Sequence, residues 1–596
     1  MANFRGLPSR DPWSVPVRAR VAGVVAGLLI ATALAAPSPA ATDGLYSSVT
    51  KEYIVPTRHA FIHLSVAHPT VGGKVVRAAS VLTYSPYYGT LEDRLSDAGQ
   101  WTVDGFARVN ADVIGTGESG GCYDYGGKRE KETAYDIVEW IAKQPWSTGK
   151  IGMIGGSYDG TTAMAAAVTR PPHLTTIVPE AAISRWYDYA FSGGMRYSFN
   201  NERMGNESPG LVIDEQGFDT PVSFDFGTNQ LPPTTYDQDH YQERATTTVT
   251  PCDEVKHMQG GYSPNPDYDA FWTERDYAKD AAKVTIPVLV ALNWGDWNVK
   301  QDTGIRFWKG LTKSSFRRLA VGTRWAGHGT PGGDYPALRH AWMDHFLRGV
   351  KNDVLRTPEV ISQTADSKGT IGFVNGPVPK TTDVVLYAQQ ASVNGYDQAL
   401  LPTRPKSAGT GATYALTGNS SESGALAAAR QKGGTGAWFE SPTLASDVRL
   451  FGSPSVTVWS TVQRTWVTYA VSVVDIDPAH FSTAGGMRYP SKKNALLGVT
   501  RGWLDSRYRN TLAKRELWKP GANGATIVAK PQDYTFRKGH AIGLLVMDVQ
   551  TEWVVPKPYD DPAGGQGATV TVDTSGKTLV HLPLVGRLDP RRLFLS

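Results

Sequence analysis

The sequence lacks the features that define several large classes of protein. It holds two cysteines in 596 residues, Cys122 and Cys252. It is therefore no disulfide scaffold, and two thiols without matching histidine spacing make no zinc finger or ribbon. No histidine–carboxylate run has the spacing of metal ligands, so no metal and no cofactor is expected. Neither sign of charge dominates. Sixty lysines and arginines against 56 aspartates and glutamates leave a formal +4, which gives no case for nucleic acid as a partner. Apart from the N-terminus, no stretch is long and apolar enough to cross a membrane, and there is no internal repeat.

The N-terminus reads as a secretory signal over residues 1–40. Arg5, Arg10, Arg18 and Arg20 precede an apolar run at 21–36, followed by Pro37, Ser38, Pro39, Ala40 and Ala41. The alternative is an uncleaved anchor, but the run falls short of the roughly twenty residues of a membrane span. Cleavage near Ala40 removes those four arginines and Asp11, leaving a net charge of about +1. The mature protein is expected to be secreted, extracellular and free of the membrane. In an exported chain, two cysteines permit one disulfide between Cys122 and Cys252; the alternative is two buried free thiols.

The length calls for two or three domains. Residues 45–350 alternate strand and helix patterns, the mark of a mainly parallel sheet. Strands are expected at 75–83, 106–114, 176–181, 284–292 and 318–323, with helices at 132–142 and 336–350. Ala134, Ile137, Val138 and Ile141 give the first helix its apolar stripe. From 184 to 283 the rhythm breaks into a stretch rich in Tyr, Asn, Asp and Pro. A structureless loop of that length is improbable, so it reads as a cap inserted over the site. From about 370 to 596 the signal is short strands between turns, clearest at 466–474, 542–549, 569–572 and 579–582, which suggests a β-sandwich. The Ala/Gly/Ser-rich segments 406–418 and 420–436 read as loops.

The chemistry centres on residues 150–171, KIGMIGGSYDGTTAMAAAVTRP. A short buried strand, a glycine turn with Ser157 at its tip and a small-residue helix make a nucleophile elbow. Gly155 and Gly156 are expected to turn where side chains clash, and Gly160 to bring the helix against the sheet. Ser119, in Gly117-Glu118-Ser119-Gly120-Gly121, fits G-x-S-x-G more literally, but a loop and not a helix follows it. Context therefore favours Ser157 as nucleophile and Ser119 as a turn residue. A serine hydroxyl needs a base, and the base a carboxylate, here in the chain order Ser, Asp, His. Asp296 follows the 284–292 strand, with Asp302 as second choice. His328, between Gly327 and Gly329, follows the 318–323 strand. His340 and His345 fall on the helix beyond it and read as packing residues. The oxyanion needs two donors: the backbone N–H of Tyr158, and a group from an early loop, for which Tyr87 offers a phenol.

These segments together resemble the X-prolyl dipeptidyl-peptidase and cocaine esterase-like serine hydrolases. The resemblance is carried by GGSYDG at 155–160, DVIGTGESGG at 112–121, EWIAKQPWSTGKIGMIGGSY at 139–158, NWGDWNVK at 293–300, WAGHG at 325–329, SPYYG at 85–89, DHFLRGV at 344–350 and VTRGWLDSRYRNTL at 499–512. It implies an α/β-hydrolase core with a helical cap, followed by an all-β jelly-roll sandwich domain, and Tyr87 as the second oxyanion donor. NWGDWNVK resembles the acid loop of the family, and its DWNVK end, at 296–300, favours the X-prolyl branch. One departure is the lack of room for the large N-terminal helical domain of some lactic-type X-prolyl enzymes. The activity implied is release of X-Pro dipeptides from peptide N-termini through an acyl-enzyme. The alternatives are an acyl esterase or amidase acting on a small acyl substrate, or, in another class, a surface- or carbohydrate-binding protein with an inert hydrolase domain. Cap residues available to a substrate are Trp186, Tyr187, Tyr189 and Phe191 for a proline ring, and Asp188, Glu202, Asp214 and Glu215 for an amine.

Overall fold

The structure is a computed structural model. It describes residues 46–87, 96–197 and 267–595, apart from 408, 432–433, 485–486, 491–494 and 555–567. The described residues all fall in one compact unit. The expected signal segment and most of the expected cap therefore lie outside the described residues. Among the described residues, no helix is long and apolar enough to cross a membrane.

The first half is built on one sheet. Its strands are β1 (Ser47–Pro56), β2 (Phe61–Val71), β3 (Ala78–Ser85), β4 (Ala107–Asp112), β5 (Ser147–Gly156), β6 (Leu174–Glu180), β7 (Val288–Asn293), β8 (Arg317–Gly322) and β9 (Val360–Asp366). They lie in the order β1-β2-β4-β3-β5-β6-β7-β8-β9. All pairings from β4 to β9 are parallel, while β1–β2 and β2–β4 are antiparallel. Strands buried on both faces read as continuous apolar runs, and β7, Val-Leu-Val-Ala-Leu-Asn, is buried at every position. Helix α1 (Lys128–Ala142) buries Ala134, Ile137, Val138 and Ile141, the stripe set by its 3.6-residue period. Helix α2 (Tyr158–Thr169) is buried along nearly its whole length, and its alanines let it lie close to β5 and β6. Helix α3 (Gln301–Gly310) follows β7. Helix α4 (Tyr335–Met343) continues as a π-helical turn, Asp344–Arg348, and ends at Gly349 in the left-handed conformation.

Several boundaries move from their expected places. The strand expected at 75–83 is β3, because Lys74–Val75 is taken by a tight hairpin against Thr70 and Val71. The strand expected from 284 begins only at Val288, past Pro287. The described parts of the 184–283 segment are short: helices Trp186–Ala190 and Ala270–Glu274, a two-residue hairpin at Phe191–Ser192 and Met195–Arg196, and a 3-10 turn at Ala278–Lys283.

The second half is mainly antiparallel β structure with its own apolar core, around Val456, Val471, Phe536, Leu544, Val580 and Leu582. Both segments expected to be loops carry structure. Ala412–Ala415 is a strand paired with Thr569–Val572, and Glu422–Ala427 is a helix. The helix is stabilised from far along the chain. The Glu552 carboxylate accepts the N–H groups of Glu422 and Ser423 at 2.7 and 2.9 Å, and the Ser421 hydroxyl accepts that of Gly424 at 3.0 Å. No local pattern in an Ala/Gly/Ser-rich stretch reveals such support.

Candidate active site

Ser157 sits between the last residue of β5 and the first of α2, with φ 60° and ψ −121°. A non-glycine residue held there costs of order 1–3 kcal/mol. The turn is fixed by its neighbours: Ser157 N–H donates to the Glu180 carbonyl at 2.8 Å, and the Thr161 hydroxyl donates to the Ser157 carbonyl at 2.9 Å. A Cβ on Gly160 would lie 2.7 Å from the Gly155 carbonyl oxygen and 2.8 Å from Glu180 N, and one on Gly155 would lie 2.2 Å from the Asp159 Cβ. The expectation for Gly156 is corrected, since a Cβ there meets nothing within 4 Å. Crowding enforces Gly155 and Gly160 but not Gly156.

The two expected oxyanion donors meet at the serine. The Tyr87 hydroxyl donates to Ser157 Oγ at 3.2 Å and accepts from Tyr158 N–H at 3.2 Å. Tyr87 leaves the end of β3 with its N–H on Ser85 Oγ at 3.1 Å. Although Tyr87 is exposed over part of its surface, its hydroxyl is held at the elbow by its contacts with Ser157 and Tyr158. Desolvation there and the nearby Asp159 carboxylate push its pKa above the ordinary phenol range, so it stays a protonated donor.

Behind the elbow the Tyr158 ring points inward, a feature the sequence reading missed. Its hydroxyl donates to Glu130 Oε2 at 2.8 Å, and Gly126 N–H donates to the same oxygen at 2.9 Å. Burial pushes the Glu130 carboxyl up to about 7, the two hydrogen bonds opposing the rise. Trp186 and Tyr123 flank the Tyr158 ring at 5.1 and 6.3 Å between centroids. The sequence signal for Glu130 is only an acid in the first turn of a helix.

Asp296 and His328 come from the loops after β7 and β8. Asp296 is fully buried. Its Oδ2 lies 2.9 Å from His328 Nδ1, and its Oδ1 accepts the N–H groups of Asn298 and Val299 at 3.0 and 3.2 Å. The two loops are pressed together: a Cβ on Gly295 would lie 2.2 Å from the carbonyl oxygens of both Ala326 and Arg324. Asn293 Nδ2 donates to the Gly327 carbonyl at 3.1 Å. The β half contributes too. Gln532 Nε2 donates to the Trp294 carbonyl at 2.9 Å, Arg324 donates to the Gly498 carbonyl at 2.9 Å, and Trp297 is flanked by Trp553, Trp503 and Arg501. Burial lowers the His328 pKa, but Asp296 outweighs it, and the net direction is upward.

The structure thus forms two of the expected groupings, Ser157–Tyr87–Tyr158 and Asp296–His328. Among the described residues no hydrogen bond joins His328 to Ser157, whose Oγ is engaged by Tyr87 instead. Catalytic hydrogen bonds are commonly long before substrate binds. Asp302, the second choice of acid, pairs with Lys530 at 2.8 Å. Ser119 is buried in a turn, donating to the Asp112 carbonyl at 2.9 Å and accepting from His63 N–H at 3.0 Å. His340 stacks on Trp101 and pairs with Asp104, a packing role.

Of the cap residues, Trp186, Tyr187 and Phe191 are buried in the core. Asp188 is committed to Arg185 at 2.5 Å and Arg306 at 3.2 Å, which removes it as an amine receptor. Glu202, Asp214 and Glu215 lie outside the described residues. Cys122 is disulfide-bonded; Cys252 lies outside the described residues. The lack of ligand spacing in the sequence does not prevent folding from bringing such side chains together. Glu52, His63 and Glu118, distant in sequence, bring their ligand atoms within 4.8 Å of one another.

The chain is similar to known proteins over most of its length. A family model described as X-Pro dipeptidyl-peptidase (S15 family) matches residues 61–329, and one described as X-Pro dipeptidyl-peptidase C-terminal non-catalytic domain matches residues 352–582. A putative Xaa-Pro dipeptidyl-peptidase of Bacillus anthracis is 27% identical over 515 residues, covering 83% of this chain and 76% of that protein. One of Streptomyces avermitilis is 27% identical over 657 residues, covering 96% and 89%. Among solved structures, a CocE/NonD family hydrolase from Staphylococcus aureus has a TM-score of 0.66 at 18% identity, covering 90% of this chain and 94% of that one. An α-amino acid ester hydrolase has a TM-score of 0.64 at 18% identity, covering 94% and 100%. At these identities the solved structures carry the α/β-hydrolase fold.

Proposed function

Since the chain belongs to the X-Pro dipeptidyl-peptidase family of serine hydrolases, we propose that it releases X-Pro dipeptides from peptide N-termini with Ser157, His328 and Asp296 as its triad. The observation that carries the reading is the convergence of the Tyr87 hydroxyl and Tyr158 N–H beside Ser157 Oγ, each 3.2 Å contact pointing to one place. Ser157 Oγ turns from Tyr87 toward His328 and attacks the carbonyl carbon after proline, while His328 Nε2 takes its proton. Asp296 holds Nδ1–H and stabilises the imidazolium. The carbonyl oxygen, now negative, takes the hydrogen bonds of Tyr87 and Tyr158, which no longer spend them on each other and on the serine. His328 returns the proton to the leaving amine, and water releases the dipeptide from Ser157 by the same steps reversed.

Export is part of the proposal, supported by the arginines ahead of the apolar run at 21–36 and by the disulfide at Cys122. A second reading, an acyl esterase or amidase, is favoured by the likeness to CocE/NonD and α-amino acid ester hydrolase structures. Anilides of Gly-Pro and Ala-Pro, their N-acetylated forms and p-nitrophenyl esters separate the two. The dipeptidyl-peptidase cleaves the free-amine anilides and not the acetylated ones. Equal turnover of both forms, or ester cleavage alone, moves the assignment to the esterase.

A further inference from the structure

The elements around His63 form a second constellation that the hydrolytic reaction does not use. His63 lies on β2 opposite Ile54 of β1, and Glu52 is two residues from Ile54 on the same face of that strand. Glu118 comes from the loop after β4. His63 Nε2 is 2.9 Å from Glu118 Oε2 and 3.8 Å from Glu52 Oε1. The imidazole is 3% exposed, whereas Glu118 and Glu52 open to solvent at 33% and 47%. On the other edge of the ring, Nδ1 has no hydrogen-bond partner but faces Asp112 Oδ2 at 3.5 Å.

We propose that Glu52, His63 and Glu118 bind a divalent transition-metal ion of the zinc class. In the metal-bound form the imidazole keeps its proton on Nδ1, the edge that faces Asp112 Oδ2 at 3.5 Å, where metal-bound histidines commonly have an outer carboxylate. With the proton on Nδ1, the Nε2 lone pair faces two carboxylate oxygens, and a cation between them gives all three ligand atoms a partner. Zinc bonds of about 2.0–2.2 Å place tetrahedral ligands roughly 3.4 Å apart, between the two separations from Nε2. One nitrogen and two carboxylate oxygens suit zinc better than calcium, which takes six to eight oxygens.

The frame is held independently of the ion. Asp112 Oδ2 accepts Glu118 N–H at 2.9 Å, and Ser119 Oγ accepts His63 N–H at 3.0 Å. Bound metal clips the largely exposed strand β1 to the loop that leads on to Cys122 and Tyr123. Its effect is on stability and on the order of β1, not on the triad.

The test is titration of zinc chloride into the EDTA-stripped full chain by calorimetry, with melting curves alongside. One zinc per chain, a rise in Tm of several degrees, and at least tenfold weaker binding in Glu118→Gln and Glu52→Gln are expected. These two variants alter half-exposed side chains, so they keep the test informative if His63→Asn fails to fold. Absence of zinc binding overturns the proposal, as does unchanged affinity in both glutamine variants. Calcium binding as tightly as zinc overturns the choice of ion.

Discussion

Replacing Tyr87 by Phe removes one oxygen and nothing else. That oxygen is 3.2 Å from Ser157 Oγ and 3.2 Å from Tyr158 N. Before reaction it serves the resting serine; during reaction it serves the oxyanion. Losing the resting contact leaves Ser157 Oγ and Tyr158 N–H facing the water of the site, so substrate binding changes little. Losing the oxyanion contact removes one of two donors, a change that costs about 10²–10³-fold in kcat, or about 2.7–4 kcal/mol. The expected signature is therefore a kcat fall of that size, a KM within about twofold of wild type, and a Tm within a degree or two, because the ring remains. Steady-state hydrolysis of Ala-Pro-p-nitroanilide and a thermal melt supply all three numbers. A kcat within threefold of wild type refutes the role and returns Tyr87 to loop packing. A matched rise in KM with kcat unchanged refutes it equally, since it assigns Tyr87 to uniform binding.

Asp296→Asn keeps the shape of the acid loop but no longer holds the His328 tautomer, and kcat should fall about 10⁴-fold. Because Asp296 raises the His328 pKa, kcat/KM of wild type should decline on acidification from a higher pH than an ordinary imidazole sets, His328 acting only when neutral; a pH–rate profile checks this. Glu130 is raised from the ordinary 4.5 to about 7 in the folded chain, so the folded state binds the extra proton and stability falls as pH rises between those values. Glu130→Gln, which can still accept from Tyr158 and Gly126, should therefore melt higher than wild type at pH 8 and not at pH 4; equal shifts at both pH values refute the assignment. Ser119→Ala should retain hydrolysis but lose roughly 1–3 kcal/mol of stability, since it strips His63 N–H of its buried acceptor, as a urea melt would measure.

How much of this was legible in the sequence differs by element. The elbow was legible because its signal is local: a buried strand, Gly155, Ser157 and Gly160 within ten residues. The placement of Ser157, Asp296 and His328 after strands was legible because each follows a β-branched or aliphatic run that becomes a parallel strand. The expectation for Gly156 was wrong because tightness of a turn does not say which Cβ collides. The supports of the acid loop were hidden because Gln532, Arg501 and Trp553 lie more than two hundred residues beyond it. Glu130 was hidden for another reason: a carboxylate in the first turn of a helix ordinarily faces water, and only the Tyr158 hydroxyl and Gly126 N–H explain why this one faces the core. The Glu52–His63–Glu118 cluster arises from the register of β1 on β2 and the loop after β4, which no spacing rule encodes.

The central claim is that Ser157, and not the motif-matching Ser119, is the nucleophile of an X-prolyl dipeptidyl-peptidase. The most direct measurement is peptide-mass mapping after reaction of the folded protein with a fluorophosphonate. One adduct per chain is expected, on the tryptic peptide running from Ile151 to Arg185 (trypsin spares the Arg170–Pro171 bond), with labelling prevented by prior occupancy with an Ala-Pro substrate analogue. An adduct on the peptide that contains Ser119, or labelling of Ser157 that the analogue leaves untouched, would contradict it.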